Sequence, residues 1–213
     1  MTRTVCIIDD DEAIRESLRL LLFAAGFQTR TFASADHYLA EGTGETFDCM
    51  LLDIRMPGTD GLDLFRQLMR ERVGYPIIFI TGHGDIPLAV AAIQQGAFDF
   101  LTKPFEEGQL LERIGHAIER YEADRDRRRT LQEIKRRLAT CTPRERDVLD
   151  LMVQGLPNKG IADHLAISPR TVEIHRAHVM EKMEADSLAT LVRMITVVEP
   201  DLNGDADAPG SPG

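Results

Sequence analysis

Five times between residues 4 and 121, an apolar run of strand length gives way to a helix-length stretch with its apolar residues on one face. The runs are Thr4–Asp9, Gln28–Phe32, Phe47–Leu52, Ile77–Ile80 and Phe98–Leu101. After the first, Ile14, Leu18, Leu21, Leu22 and Ala25 share a helical face that Gly26 ends; after the third, Leu62, Phe65, Leu68 and Met69 do the same. Ser34 opens the second helix and Asp85 caps the fourth, while the last bears Leu110, Leu111, Ile114, Ala117, Ile118 and Tyr121. This alternation predicts an α/β, doubly wound, five-stranded parallel sheet.

In such a sheet the carboxyl ends of all strands share one edge, where ligands bind. Asp9 and Asp10 follow the first strand, and Thr81 and Lys103 follow the fourth and fifth. The third strand closes on Asp53 within Cys49-Met50-Leu51-Leu52-Asp53-Ile54-Arg55-Met56-Pro57-Gly58. Three carboxylates in one crevice repel one another unless a divalent cation sits among them. Oxygen ligands, few in number, point to Mg2+, with water and a phosphoryl oxygen completing the octahedron. A Thr81 hydroxyl and the compact charge of Lys103 would stabilise a phosphoryl group transferred to Asp53.

Residues 1–122 thus resemble the receiver domain of two-component response regulators, through Asp9-Asp10, Asp53-Ile-Arg-Met-Pro-Gly, Thr81 and Lys103-Pro104-Phe105. The resemblance implies a flavodoxin-like receiver in which Asp53 accepts a phosphoryl group from a sensor histidine kinase. Asp9, Asp10, Asp53 and the backbone carbonyl of Arg55 then hold magnesium, Thr81 and Lys103 meet the phosphate, and Phe100 repositions. It also implies a cis Lys103–Pro104 peptide. The glycines of Gly82-His83-Gly84-Asp85 suit a loop that reorganises.

The net charge of −10 disfavours a nucleic-acid partner until it is divided along the chain. Residues 1–122 carry 11 basic and 20 acidic side chains, residues 123–139 carry 7 and 3, and residues 140–198 carry 7 and 8. An acidic module is joined by a basic connector to a nearly neutral one, which implies different partners. Residues 123–139 read as a helical but bendable linker, with Leu131, Ile134 and Leu138 at helical spacing.

Thr142-Pro143-Arg144-Glu145 is a capping box ahead of Val148, Leu149 and Met152. Gly155-Leu156-Pro157 ends that helix, Asn158 caps a short one with Ile161 and Leu165 inward, and Ser168-Pro169 start another. Two short helices joined by a tight turn make a helix-turn-helix whose second helix is the candidate reader. Along it Val172, Val179 and Met183 face inward, leaving Arg170, Glu173, Ile174, Ala177 and His178 outside. Ile174 and Ala177 suit thymine methyls, Glu173 suits cytosine N4, and Lys159, Arg170, Arg176 and Lys182 suit phosphates. His164, His175 and His178 read as packing or backbone-contact residues rather than metal ligands.

Residues 140–198 resemble the LuxR-type, four-helix DNA-binding domain through Thr-Pro-Arg-Glu, Asn158-Lys159-Gly-Ile161-Ala162 and Ser168-Pro-Arg-Thr171-Val172-Glu-Ile-His175. Gly160 departs from the usual Glu. The resemblance adds Ser168 and Thr171 to the DNA contacts and implies that a last helix, Ser187–Val198, helps pair two domains, with Leu188 and Leu191 serving the core. Residues 199–213 have almost nothing to bury and are expected to be a disordered tail.

A receiver followed by a LuxR-type domain is the order of FixJ-type response regulators, and Ile80-Thr81-Gly82-His83-Gly84-Asp85-Ile86-Pro87 strengthens that resemblance. The expected function is transcription regulation. Phosphorylation would remodel a face around Val90, Ile93 and Phe100, giving a phosphorylation-dependent homodimer on double-stranded promoter DNA, with RNA polymerase as a further partner. An enzyme using Asp53 on small phosphate esters would need a second base, which the edge does not offer. A switch whose carboxyl-terminal helices bind a protein is the other rival. With no bilayer-length apolar run and no export leader, the chain reads as cytoplasmic with no membrane partner. Cys6, Cys49 and Cys141 lack metal spacing and read as buried packing residues.

Overall fold

The structure, a computed structural model, describes residues 2–82 and 85–204. His83 and Gly84 of the glycine-flanked loop, and residues 205–213 of the expected tail, lie outside the described residues. The chain divides into two units, residues 1–124 and 125–213.

The first unit contains β1 (Thr4–Ile8), α1 (Glu12–Ala24), β2 (Gln28–Phe32), α2 (Ala35–Glu41), β3 (Cys49–Asp53), α3 (Gly61–Glu71), β4 (Ile77–Thr81), α4 (Ile86–Gln94), β5 (Asp99–Thr102) and the start of α5 (Glu107–Thr140). The five strands form one parallel sheet in the order β2-β1-β3-β4-β5. That is the doubly wound architecture expected. Its strand order reverses between β1 and β3, which opens a crevice at their carboxyl ends.

The central strands are apolar throughout because both of their faces are covered. Cys6, Ile8, Met50, Leu52 and Phe79 point into one layer with α3 residues Leu64, Phe65 and Leu68. Val5, Ile7, Cys49, Leu51, Ile78 and Ile80 point into the other, against Leu18 and Leu22 of α1 and Leu110, Ile114 and Ala117 of α5. β2, at the edge, alternates exposed and half-buried residues instead. All three cysteines are free and buried.

Several local expectations shift. β3 ends one residue later than expected, so Asp53 is itself paired into the sheet, opposite Ile80. β5 likewise slides to Asp99–Thr102. Asp11 caps α1, accepting from the Ala13 N–H at 2.8 Å, and Ser34 caps α2 through the His37 N–H at 3.0 Å. Asp85 occupies the cap position of α4 without making the bond, because its carboxylate is taken by Arg55. The Lys103–Pro104 peptide is cis.

The second unit holds the rest of α5 with α6 (Pro143–Val153), α7 (Asn158–Leu165), α8 (Pro169–Lys182) and α9 (Leu188–Gly204). The expected linker is helical throughout, lying within the 34-residue α5. Its apolar residues Ile134, Leu131 and Leu138 pack on a core of Val148, Leu149, Met152, Ile161, Val172, Val179, Met183, Leu191, Ile195 and Val198. The Thr142–Glu145 capping box is formed in full. Asn158 does not cap α7: Pro157 holds that position, and Asn158 is the first helical residue. Of the two leucines assigned to the core, Leu191 is fully buried but Leu188 is 40% exposed. α9 continues to Gly204, past the expected start of the tail. Among the described residues no helix is long and apolar enough to cross a membrane.

One contact joins this scaffold to the crevice. Gly61 opens α3 with its backbone against the segment after β3, donating its N–H to the Ile54 carbonyl at 2.9 Å. A Cβ there would lie 1.9 Å from the Asp53 carbonyl oxygen. Gly61→Ala is therefore expected to cost at least about 2 kcal/mol in chemical denaturation, through displacement of backbone rather than of a flexible side chain. Gly108→Ala, which meets nothing within 4 Å, is the control expected to cost nothing.

Candidate functional site

The sheet delivers the carboxylates to the crevice. Asp9 follows β1 directly and is 2% exposed, Asp53 ends β3 at 8%, and Asp10 is exposed beside them. Asp9, Asp10 and Asp53 each offer an oxygen within 4.8 Å of the others. Lys103 reaches in from beyond β5, its Nζ 2.7 Å from Asp9 Oδ2 and 3.5 Å from Asp53 Oδ2. The remaining oxygens accept local N–H bonds, from Asp11 to Asp9 Oδ1 at 2.9 Å and from Ile54 to Asp53 Oδ1 at 3.0 Å. One lysine thus faces three acids. An all-oxygen donor set with excess negative charge fits a hard divalent cation such as Mg2+. Bound there, the cation would supply electrostatic stabilisation of phosphoryl oxygens.

Burial pushes the Asp53 carboxyl up to about 6; Lys103 opposes the rise and Asp9 adds to it. Thr81 is fully buried at the end of β4, and its hydroxyl donates to the Gly82 carbonyl at 3.3 Å. Phe100, opposite Phe79 in the sheet, is half-buried against the core, as is Ile93 of α4, whereas Val90 is 44% exposed.

The Arg55 side chain has a partner that sequence reasoning missed. Its Nε lies 2.8 Å from Asp85 Oδ1, tying the segment after Asp53 to the start of α4. An Asp before an apolar helical stretch carries the signal of a cap, and nothing local to it points to an arginine 30 positions earlier.

In the second unit, α8 presents Arg170, Glu173, Ile174 and Ala177 to solvent, with Ile174 50% exposed, while Val172 and Val179 are buried. Ser168 Oγ accepts from the Thr171 N–H at 3.1 Å and lies 2.8 Å from its hydroxyl, so both residues shape the start of the helix. Lys159 is exposed on α7 and Arg176 is half-buried. Lys182 has a partner within the unit, its Nζ lying 2.5 Å from Glu145 Oε2. His178, on the outward side as expected, lies 3.4 Å from the same carboxylate; His164 is exposed, and His175 buries an Nδ1 that has no hydrogen-bond partner.

The raised Asp53 value fixes the sign of a pH effect in the metal-free chain. A carboxyl at about 6 when folded and about 3.9 when unfolded holds its proton more tightly in the folded state. The ionised group therefore opposes folding, with a penalty that is absent below about pH 4 and complete above about pH 6. Asp53→Asn is expected to raise stability in chelator at pH 7.5 by on the order of 2 kcal/mol, the gain fading as pH falls towards 4. Denaturant unfolding at three pH values, with and without magnesium, measures it.

Comparison with known proteins places both units. Residues 5–115 match the response regulator receiver domain, and residues 139–195 match the bacterial regulatory proteins of the luxR family. The transcriptional regulatory protein FixJ of Bradyrhizobium diazoefficiens is 45% identical over 190 residues, covering 89% of this chain and 93% of the relative. The solved structure of the response regulator StyR is 42% identical with a TM-score of 0.78, covering 92% of this chain and 99% of that one. Full-length FixJ from B. japonicum is 43% identical with a TM-score of 0.62, covering 94% and 99%. The chain belongs to the response regulators that join a receiver to a LuxR-type DNA-binding domain, and it is a FixJ-like transcription regulator.

Proposed function

We propose that this regulator is switched by phosphorylation of Asp53, with a sensor histidine kinase as donor. The observation that carries the reading is the grouping of Asp9, Asp10, Asp53 and Lys103 at the point where the strand order reverses. An Asp53 oxygen attacks the phosphorus of the donor phosphohistidine, the P–N bond breaks, and its electron pair returns to the imidazole. Asp9, Asp10, Asp53 and the Arg55 carbonyl would hold Mg2+. Lys103 stays beside the acceptor as a point charge against the phosphoryl oxygens. The Thr81 hydroxyl leaves the Gly82 carbonyl for a phosphoryl oxygen, and Phe100 takes up the space this opens.

Val90, Ile93 and Phe100 then form the pairing face of a homodimer. Pairing brings two α8 helices onto adjacent half-sites of promoter DNA, and the doubled phosphate contacts compensate for a weakly basic module. Lys159, Arg170 and Arg176 meet phosphates, Ser168 and Thr171 meet the backbone at the start of α8, and Glu173, Ile174 and Ala177 read base edges. The exposed Leu188 and Val197 of α9 suit it to pair domains on a two-fold site. The resemblance to FixJ supports activation with RNA polymerase as a partner, in the cytoplasm.

Two measurements test this. Acetyl phosphate with magnesium is expected to give a hydroxylamine-labile phosphoryl adduct on the peptide containing Asp53, seen by mass spectrometry and absent in Asp53→Asn. An adduct elsewhere, or one that survives the substitution, would remove Asp53 from the account. On duplexes selected from random sequence, Arg170→Ala is expected to weaken all sequences alike and to reduce the salt slope by about 0.9. Ile174→Ala should instead cost about 1 kcal/mol on the selected site alone.

A further inference from the structure

Lys182, the last residue of α8, is half-buried against α6. Its Nζ lies 2.5 Å from Glu145 Oε2, on a buried side chain that is 5% exposed. The same oxygen accepts the Thr142 N–H at 2.8 Å, and His178 Nδ1 lies 3.4 Å from the other. The hydrogen bond from Lys182, followed by that from the Thr142 backbone, holds the Glu145 carboxyl at about 2. Arg144, one residue earlier, donates to the carbonyl of Leu165, the last residue of α7, at 2.6 Å. From α5, Arg137 donates to the Met183 carbonyl at the C-cap of α8 at 3.2 Å and pairs with Glu184 at 2.8 Å.

Both helices of the helix-turn-helix are thus tied at their carboxyl ends by charged side chains. α8 buries Val172 and Val179, with Met180 half-buried on the same core and Met183 buried at the C-cap. Apolar packing is non-directional, so a narrow stripe of such residues constrains the position of the helix along and about its own axis less sharply than directional bonds do. Charge-assisted hydrogen bonds are short and directional, and they supply that definition. α8 is 14 residues long, about 20 Å, so a tilt of roughly 5° pivoting at one end moves the other by about 2 Å. That exceeds the tolerance of base-edge hydrogen bonds.

We propose that Glu145 and Lys182 are a positioning pair for DNA reading: they set the seat of α8, so that its exposed stripe meets the groove at one height and rotation. The capping box at the start of α6 then has two duties, closing its own helix and indexing the reader. The proposal rests on α8 being the reading helix.

The test uses the full-length chain with magnesium and beryllium fluoride, on a duplex recovered by random-sequence selection and on a scrambled duplex, over a series of salt concentrations. Lys182→Met removes the cation. Glu145→Gln removes the charge yet keeps the capping box, which accepts Gln as well as Glu. Each is expected to weaken the selected duplex about tenfold, leave the scrambled duplex and the salt slope unchanged, and Lys182→Arg is expected to restore most of the loss. The proposal is overturned if Lys182→Met lowers the salt slope by about one and weakens both duplexes alike, while Glu145→Gln, which frees the lysine, binds as well or better. Wild-type binding in both variants also overturns it. If the wild-type chain retains no duplex, the reading of α8 fails separately. Residual dipolar couplings of α8 against α6 in Lys182→Met then decide: a reoriented α8 supports the positioning pair, and an unchanged one rejects it.

Discussion

The crowding of negative charge between Asp9 and Asp53 is the constraint on which the first unit turns. Both carboxylates are nearly buried, and Lys103 is the one cation that bridges them among the described residues. Burial and the neighbouring acid both raise the Asp53 carboxyl against the pull of the lysine. A site in that condition gains from a divalent cation or from a phosphoryl group with its counter-ion.

The fold makes this crowding unavoidable. Parallel pairing of β1, β3 and β4 puts their carboxyl ends side by side, and both faces of these strands are buried. Gly61 packs its backbone against that of Asp53 and Ile54, with no room for a Cβ between them. On the opposite side, the Arg55–Asp85 pair links that segment to the start of α4. The second unit uses charge differently, with Glu145, Lys182, Arg144 and Arg137 fixing helix ends and the exposed stripe of α8 left free.

Much of this was legible in the chain. Strand ends are read from apolar runs, and the parallel topology then gathers Asp9, Asp53 and Lys103 without knowledge of any distance. Helix starts with strong local chemistry, such as Ser34 and the Thr142–Glu145 box, were also readable because their bonds are local. What escaped depended on partners distant in sequence. Asp85 reads as a cap until Arg55 is placed beside it, and nothing local to Lys182 points to its partner Glu145, 37 residues earlier. Leu188 and Leu191 share an apolar pattern, yet only one meets the core, because the width of the buried stripe is set by neighbouring helices. The start of the tail was misplaced because helix α9 runs on through residues with little to bury.

The central claim is that charge at Asp53 drives assembly. Molecular mass in solution with magnesium, before and after beryllium fluoride, for wild type and Asp53→Asn, tests it most directly. The account predicts a monomer-to-dimer shift in the wild type alone. No shift in the wild type, or the same shift in both proteins, would contradict it.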